Sequence, residues 1–463
     1  MEAKKVLVAA SAVWSVVFAV NCYADNPIIQ NFYSADPAPF VKDGVCYLYT
    51  SHDEDVTERN FFTMKNWLLY TSTDMANWTD HGIVATLYDF EWAKNGWGGG
   101  YENGGWAPQA IERNGKWYLY CPLQGRGIGV LVADNPAGPF HDPIGKPLVA
   151  GDHIDPSVFI DDDGQAYLYW GNPKCWYAKL NEDMISIDTT IGDKGLVVLD
   201  MSIEEFGKRT VEDEKRATTY EEGPWLYKRN NLYYLFFAGG PISEHLGYST
   251  SKSPVGPWKY GNVIMKPQSA FTIHPGVVDF KGKTYLFYHN AGLPGGGGFK
   301  RSVCVDELVF NADGSVKEVV PTKEGPKQVG FLNPYETVQA ETMFNNGGVE
   351  TEICYDENGG MNVCDIDNGD FIQLKGVDFG AGASSFEARV ASYKSGGKIE
   401  LRLGSKDGKL VGTCVVPHTQ GWQKWKTVSC TVEGATGVND LFLVFVGDNG
   451  IDLMTLNWWK FKK

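Results

Sequence analysis

Five short segments of the chain share one pattern, a polar turn followed by an aromatic-rich stretch, and this repeat constrains the fold more than any other feature. Each copy is typical of the middle of a β-hairpin. The copies are KDGVCYLYT from Lys42, RNGKWYLYC from Arg113, DDGQAYLYW from Asp162, RNNLYYLFF from Arg229 and KGKTYLFYH from Lys281.

A second motif follows several of the copies at a similar distance. It is seen in TDMANW ending at Trp78, DNPAGPF ending at Phe140 and SKSPVGPW ending at Trp258. Two motifs in phase, repeating at roughly 50 to 70 residues, are typical of propeller blades, so we expect an all-β, five-bladed β-propeller. The alternative is a β-sandwich whose hairpins are similar by coincidence.

The sequence texture changes near residue 334. Beyond it the repeat is absent, and alternating strand-like segments such as FIQLKGVDF, KIELRLG and DLFLVFVG continue to a terminal NWWKF. This length and pattern predict a single β-sandwich of the jelly-roll kind. We therefore expect a propeller over residues 25–334 and a sandwich over residues 335–463.

The first residues have the layout of a cleavable secretory signal. Lys4 and Lys5 precede an apolar run that is too short to span a bilayer, and small residues follow up to Ala24. Residues 1–24 are therefore expected to be removed, which predicts a secreted or periplasmic protein. Cys22 would fit a lipoprotein, but Val20 and Asn21 are unusual neighbours for a lipidated cysteine.

Charge and cysteine content narrow the classes of partner. A net charge of −16 opposes binding to nucleic acid and to anionic membranes, so a neutral ligand is expected. The protein is separately expected to be a monomer. No cysteine pattern has zinc spacing. Cys46, Cys121 and Cys304 lie in apolar strands and are predicted to be buried thiols, whereas Cys414 and Cys430 flank a predicted hairpin and are placed to pair.

Candidate functional residues open the first strand of each predicted blade, eight or nine residues before the repeated turn. Because the innermost strands of a propeller line its central channel, these positions are expected to converge on one pocket. They are Asp36, Trp106, Asp155, Glu222 and His274.

Three carboxylates in one pocket predict glycosidic bond cleavage. Gathering like charges raises their pKa values and costs stability, which points to function. Cleavage needs a protonated carboxylic acid for the leaving oxygen and an ionised carboxylate to activate water or attack the sugar. A third carboxylate can keep the acid protonated by repulsion.

Each residue also has a structural interpretation. An Asp-Pro pair, as at Asp36 or Asp155, commonly marks a turn. Glu221 competes with Glu222, but strand alternation is expected to turn it away from the channel. The acidic run at 161–163 precedes Gly164 and is expected to be a solvated turn rather than a metal cluster. His274 is either a metal or sugar contact, or a core histidine.

Three segments resemble the catalytic segments of glycoside hydrolase family 43, whose members are five-bladed propellers: NFYSADPAPFVKDGVCYLYTS, HIDPSVFIDDDGQAYLYWG and EEGPWLYKRNNLYYLFFAGG. The resemblance covers roughly residues 26–325. It implies that Asp36 is the general base, Asp155 the modulator of the acid's pKa and Glu222 the general acid. It also implies inversion at the anomeric carbon, for which acid and base stand about 6.5 to 9.5 Å apart.

Other matches to the family are shorter. TIHPGVVDF resembles a segment whose histidine, here His274, lies near the channel axis and in some members neighbours a calcium ion. Arg301 in FKRSVCVDEL is similar to a sugar-binding arginine of the last blade. Trp106 in GGWAPQAI resembles a wall of the sugar site.

The C-terminal part resembles a family 6 carbohydrate-binding module, on segments that include VQAETMFNNGGVETE and IDNGDFIQL. The resemblance implies that Gln339 and Glu341 are structural calcium ligands and that Trp422 is a sugar platform. Two positions depart from the pattern: Asp365 replaces an aromatic residue and Thr455 an asparagine. The module is therefore either a sugar binder or a docked structural domain.

We accordingly expect an exo-acting or debranching α-L-arabinofuranosidase acting on arabinoxylan or a related hemicellulose, because a propeller followed by a family 6 module resembles arabinoxylan arabinofuranohydrolases. The alternative within the same chemistry is a β-xylosidase. A third hypothesis is a non-catalytic carbohydrate-binding protein, which has no need for all three carboxylates. A transferase or fructan-acting relative would instead use a carboxylate nucleophile.

Overall fold

The computed structural model describes residues 25–94, 102–211, 213–214, 216–357 and 359–463. The expected signal segment, residues 1–24, lies outside them. Strands dominate these residues, which confirms the all-β prediction. Helical structure in the described chain is confined to α1 (Ile203–Phe206) and two 3-10 turns, Leu87–Asp89 and Glu91–Ala93. No helix among them is long and apolar enough to cross a membrane.

In the N-terminal part, the described residues form five antiparallel sheets, each built from strands consecutive in the chain: β1–β4, β5–β8, β9–β12, β13–β16 and β17–β19. The strands are β1 (Ser34–Lys42), β2 (Val45–His52), β3 (Asn66–Ser72), β4 (Trp78–Thr86), β5 (Gln109–Arg113), β6 (Lys116–Leu123), β7 (Gly127–Ala133), β8 (Val149–Ala150), β9 (Ser157–Ile160), β10 (Ala166–Trp170), β11 (Trp176–Leu180), β12 (Val197–Val198), β13 (Tyr220–Arg229), β14 (Leu232–Gly239), β15 (His245–Ser251), β16 (Lys259–Met265), β17 (Gly276–Phe280), β18 (Lys283–Asn290) and β19 (Ser302–Glu307).

The repeated aromatic segments are the second strands of these sheets, as predicted. The first hairpin turns at Asp43 and Gly44, whose φ angles of 50° and 77° fit the two-residue turn that matches strand twist. The central leucine of every copy is fully buried because each sheet packs against a neighbour on both faces. These leucines are Leu48, Leu119, Leu168, Leu235 and Leu286.

The first strands of the sheets form a closed ring. β1 contacts β5, β5 contacts β9, β9 contacts β13, β13 contacts β17, and β17 returns to β1. Strands that meet in this way around one axis form a β-propeller. The residues that open the first strands therefore face a common centre.

The C-terminal part forms two packed sheets. Its strands are β20 (Val338–Gln339), β21 (Thr342–Met343), β22 (Asn345–Gly347), β23 (Glu350–Ile353), β24 (Met361–Ile366), β25 (Phe371–Asp378), β26 (Ser385–Ser392), β27 (Gly397–Leu403), β28 (Lys409–Val416), β29 (Gly421–Thr431), β30 (Val438–Val446) and β31 (Met454–Lys462). One sheet has the order β23-β24-β31-β26-β29, with β20 on β31, and the other β22-β25-β30-β27-β28. Fully buried side chains such as Phe386, Leu443 and Trp459 fill the space between them, which makes this part a β-sandwich.

The sandwich is joined to the first propeller sheet by backbone pairing. Strand β21 pairs with β4 and so extends that sheet to five strands. Beside it, the Asn77 amide accepts from the Lys375 backbone N–H at 2.7 Å and donates to the Lys375 carbonyl at 2.9 Å. The Thr351 hydroxyl donates to Asp80 at 2.7 Å. The two parts are therefore packed together rather than connected only by a linker.

The cysteine predictions had different outcomes. Cys46, Cys121 and Cys304 are buried free thiols, as predicted. Cys414 and Cys430 are also free, so the disulfide for which they were placed is not formed. Their thiols lie side by side and interact as hydrogen-bond partners instead.

We expect Leu235→Ala to lower the free energy of unfolding by about 2 to 5 kcal/mol, because it removes a fully buried side chain and leaves a cavity between sheets. Leu410→Ala is the matched control, since Leu410 is 46% exposed. Urea unfolding monitored by tryptophan fluorescence measures both. Equal midpoints for the two variants would contradict the packing described here.

Candidate active site

One cavity of about 340 Å³ opens at the centre of the propeller. All six propeller residues that the sequence singled out line it, although they come from segments far apart in the chain. They are Asp36, Trp106, Asp155, Glu222, His274 and Arg301. The predicted convergence on one pocket is therefore confirmed.

Unusual backbone conformations direct the carboxylates into this cavity. Asp36 and Asp155 have φ angles of 53° and 60°, in the left-handed region that non-glycine residues rarely adopt. The β1–β2 register shifts beside Asp36, and the β13–β14 register shifts on both sides of Glu222. Such bulges re-aim side chains, and strain of this kind is often found at functional sites.

Arg301 is bound between two aspartates. It donates to Asp36 through both terminal nitrogens, at 3.0 and 3.3 Å, and to Asp53 through Nε at 2.8 Å and Nη2 at 2.9 Å. Together with the Thr272 hydroxyl, these acceptors engage all five guanidinium N–H groups. In the structure Arg301 therefore binds Asp36 and Asp53. Its predicted contact with sugar stays a prediction.

Asp36 is held in its ionised form. Burial alone would raise its pKa, but the charge of Arg301 and a 2.5 Å hydrogen bond from the Ser51 hydroxyl lower that pKa to about 2. His289 accepts the Asp36 backbone N–H at Nδ1 and donates from Nε2 to the Thr272 carbonyl. Burial lowers the pKa of His289 to about 3, so its ring is neutral.

Asp155 and Glu222 have the opposite tendency. Burial raises both pKa values; the charge of Glu222 adds to the effect on Asp155, and the charge of Asp36 adds to the effect on Glu222. Asp155 accepts the Gly223 N–H at 2.9 Å, and Glu222 accepts from the Asn172 side chain at 2.7 Å. The pair therefore retains a proton at a pH where Asp36 is ionised.

Glu221 also lines the cavity, so the prediction that it turns away from the channel is wrong. The bulge around Glu222 interrupts the strand alternation on which that prediction depended. The carboxylate of Glu221 forms ion pairs with both Arg209 and Arg216. Both oxygens of the Glu221 carboxylate are occupied by these ion pairs. Glu222 instead accepts its hydrogen bond from a neutral amide.

Aromatic side chains form an apolar wall of the cavity. Phe62 packs edge-on against Phe299 at 4.9 Å between ring centroids, lies 5.9 Å from Phe271 and stacks under the Arg301 guanidinium at 4.8 Å. Trp106 lies next to Phe62, and its indole N–H has no hydrogen-bond partner among the described residues. An apolar wall with a free donor suits the C–H face and hydroxyls of a sugar.

Several residues that line the pocket or hold its lining side chains in place were not identified from the sequence. Ser51, Asp53, Asn172 and His289 lie four to six residues after the repeated tyrosine of their copies, where the second strands end near the axis. Reading forward from the repeat, as well as backward, would have found them. Glu244 also lines the cavity, but its position relative to the repeat does not single it out. Burial and the charge of Glu222 raise the pKa of Glu244 well above the usual range.

Comparison with known proteins agrees with this geometry. The model for glycosyl hydrolases family 43 matches residues 24–316, well over half of the chain. The chain belongs to glycosyl hydrolase family 43. The model for carbohydrate binding module family 6 matches residues 339–463, which covers the sandwich. The protein is thus a glycoside hydrolase with a C-terminal module of a carbohydrate-binding family.

Some relatives match along nearly the whole chain, and others match only part of it. The arabinoxylan arabinofuranohydrolase of Bacillus subtilis is 36% identical over 98% of this chain and 95% of its own length. A crystal structure of such an enzyme from Bacillus subtilis with cellotetraose has a TM-score of 0.81 at 36% identity, covering 95% of this chain and 97% of that one. A xylosidase/arabinosidase of Humicola insolens is 31% identical over 63% of this chain and 98% of its own length.

On the sandwich, Trp422 has an aromatic neighbour that the sequence did not reveal. The ring of Tyr393, 56% exposed, lies 6.2 Å from that of Trp422 at an angle of 54°. The hydroxyl of Thr455, the residue in place of the usual asparagine, donates to the Trp422 carbonyl at 2.7 Å and so supports the platform. Two tilted aromatic faces can bracket a sugar ring, and binding at Trp422 stays a prediction.

The two expected calcium positions differ in how well they fit. Among the described residues no group of three or more His, Cys, Asp or Glu side chains could hold a metal ion. The carboxylate of Glu341 is buried with Oε2 unpartnered, which fits a hard cation, although Gln339 is exposed. The imidazole of His274 lies beside the Arg301 charge and offers only nitrogen, so it does not fit as a calcium ligand.

We expect Asp53→Ala to destabilise the protein by about 3 to 5 kcal/mol, because it leaves the buried Arg301 with one carboxylate partner instead of two. Glu400→Ala breaks the more exposed pair with Arg402 and is expected to cost less than about 1 kcal/mol. Urea unfolding at neutral pH compares them. Similar losses in the two variants would show that the buried arginine does not depend on Asp53.

Proposed function

We propose that this protein is an inverting, exo-acting or debranching α-L-arabinofuranosidase that releases arabinose from arabinoxylan or a related hemicellulose. The observation that carries the proposal is the separation of pKa values within one cavity: lowered for Asp36, raised for Asp155 and Glu222. Carboxyl groups whose pKa values differ in this way supply a base and an acid at the same pH. The choice of arabinose follows from the relatives that match nearly the whole chain.

The proposed roles follow from these environments. Asp36, ionised beside Arg301, takes a proton from the attacking water as general base. Glu222, which retains its proton, donates it to the glycosidic oxygen as general acid. Asp155 is the proposed modulator: burial and the charge of Glu222 raise its own pKa, so the two carboxyl groups share a proton, and Asp155 accepts the Gly223 N–H next to the acid. Trp106, His274 and the phenylalanine wall enclose the sugar.

The remaining features of the proposal concern the whole molecule. We infer that each of the five sheets is one blade, that the domains divide near residue 334 within the interval from Leu308 to Thr337, and that the sandwich is a jelly roll. The protein is proposed to be a monomer, exported after loss of residues 1–24. A calcium ion, if bound, would be held by Glu341 in the sandwich, where it would stabilise the module and take no part in the chemistry.

A β-xylosidase is the second candidate. The similarity to the xylosidase/arabinosidase of Humicola insolens, which is 31% identical over 63% of this chain, favours it. Arabinofuranose and xylopyranose expose similar hydroxyl groups to a pocket of this kind. A non-catalytic binding protein remains the alternative from another class.

Product analysis by proton NMR on arabinoxylan and on aryl pentosides tests the proposal. We expect the wild-type enzyme to release arabinose with inverted configuration, and Glu222→Ala to lose release of arabinose from the polysaccharide by at least about 100-fold, since general acid catalysis supplies roughly 10²–10⁴-fold. Glu318→Ala, a surface change on a half-exposed residue, is the matched control. Xylose as product would establish the second candidate, and no product from any pentoside would establish a binding protein.

The dependence of kcat/KM on pH is expected to be bell-shaped. Activity falls at low pH as Asp36 gains a proton and at high pH as Glu222 loses one. Asp155→Asn removes a negative charge near Glu222 and so lowers its pKa, which moves the upper limb to lower pH without moving the lower limb. An unchanged upper limb in Asp155→Asn would remove Asp155 from the modulating role.

A further inference from the structure

We propose that Asn172, oriented by Arg216, is a positioning residue that determines which oxygen of Glu222 carries the catalytic proton. The inference rests on the proposed role of Glu222 as general acid. Asn172 follows β10 in the third sheet, and Arg216 precedes β13 in the fourth, so the contact crosses between neighbouring sheets. Neither residue was part of the site expected from the sequence.

Two short hydrogen bonds define the arrangement. The side-chain Nδ2 of Asn172 lies 2.7 Å from Oε2 of Glu222. Nη2 of Arg216 lies 2.8 Å from Oδ1 of Asn172. All three side chains line the same cavity. The chain of contacts therefore runs from a guanidinium through an amide to the carboxyl group proposed as the acid.

The chemistry of arginine fixes the orientation of the amide. A guanidinium has only N–H donors and no acceptor, so the group that faces Arg216 must be the carbonyl oxygen of Asn172. A flipped amide would place its NH2 group against another cation. The NH2 group must consequently face Glu222, and this assignment follows from the donors and acceptors rather than from the placement of O and N atoms.

The orientation of the amide in turn places the proton. An NH2 group donates, so Oε2 of Glu222 must accept and cannot direct a proton toward Asn172. The carbonyl oxygen of a carboxylic acid accepts a hydrogen bond better than its hydroxyl oxygen does, so this contact favours the proton on Oε1 when Glu222 is protonated. In the reaction, the Oε1–H bond breaks as the glycosidic oxygen takes this proton and the electron pair of the breaking C–O bond. Water supplies hydroxyl to the anomeric carbon and its other proton to Asp36.

Asn172 also affects the energy of the acid. Burial raises the pKa of Glu222, and the hydrogen bond that Asn172 donates opposes this effect because it favours the ionised form. The same bond remains after proton transfer and stabilises the charge that then develops on the carboxylate. The acid is thus held in one orientation and kept from retaining its proton too tightly.

Glu221 anchors the arginine that orients the amide. Nε of Arg216 lies 2.5 Å from Oε2 of Glu221, and Arg209 pairs with the other carboxylate oxygen. Glu221 is 2% exposed, so its carboxylate is shielded from water. The residue next to the acid in the chain therefore fixes the amide that orients it, which gives Glu221 a role distinct from that of Glu222.

The test uses two variants of Asn172 and two readouts. Asn172→Asp keeps the shape of the side chain and its bond to Arg216 but loses the donor to Glu222; Asn172→Ala loses both. We expect the upper limb of the pH profile to move to higher pH in each, because the ionised form of Glu222 loses its hydrogen bond. We also expect kcat to fall about 10- to 100-fold on substrates with poor leaving groups, and by less than about threefold with dinitrophenolate, which needs little protonation.

Matched controls and a third variant keep the result interpretable. Asn181→Asp and Asn181→Ala alter an asparagine on an exposed turn and should leave both readouts unchanged. Arg216→Lys keeps a positive charge beside Glu221 but loses the branched guanidinium that also donates to Asn172. We therefore expect a smaller shift of the upper pH limb and a smaller loss of kcat than in the Asn172 variants. Unfolding midpoints identify any variant that is only unstable.

The outcomes separate this inference from the proposed function. If Glu222→Ala cleaves poor leaving groups as well as the wild type does, the role of Glu222 as acid is wrong. If Glu222 is essential but Asn172→Asp and Asn172→Ala keep the wild-type upper limb and leaving-group dependence, Asn172 does not position the acid. A uniform loss on all leaving groups with an unmoved pH profile would show a structural role only.

Discussion

The buried pairing of Arg301 with Asp36 and Asp53 joins the two ends of the propeller and also sets the chemistry at its centre. Arg301 immediately precedes β19 in the last sheet, while Asp36 and Asp53 belong to the first. A cation removed from water is costly unless it is fully paired, so the two sheets must meet at one register for all its N–H groups to be satisfied. The same contact lowers the pKa of Asp36 in a pocket where burial raises the pKa values of Asp155 and Glu222.

The pocket is built from two sets of residues delivered by one repeat. First strands bring the carboxylates, through left-handed backbones at Asp36 and Asp155 and a bulge at Glu222. Gly223 completes this bulge with φ of 61°, and a side chain there would come within 3.1 Å of the His274 ring. Second strands end in the groups that hydrogen-bond to the carboxylates, including Ser51 and Asn172. Each acid is thereby given a distinct environment by the sheet beside it.

Pairing between β21 and β4 fixes the sandwich to the propeller. A module that extends a propeller sheet has a fixed orientation, and its Trp422 and Tyr393 faces move with the propeller rather than on a tether. Asp80 and Glu341 are buried where the two parts meet, and burial raises the pKa of each carboxyl. The junction therefore combines backbone hydrogen bonds with desolvated polar groups, as an internal domain boundary does.

The sequence by itself determined the repeat, the all-β class, the change of texture near residue 334 and the six propeller residues of the pocket. All but one of these follow from local pattern, because a turn followed by an aromatic strand is typical of a hairpin. Arg301 came instead from the resemblance to family 43. Only the tertiary structure decided that Glu221 lines the cavity and that Asn172 contacts Glu222. It also decided that Arg301 donates its hydrogen bonds to Asp36 and Asp53. That Cys414 and Cys430 stay unpaired was likewise decided by the tertiary structure. Those outcomes depend on bulges that break strand alternation and on neighbours from other sheets, and neither is encoded in the spacing of residues along one strand.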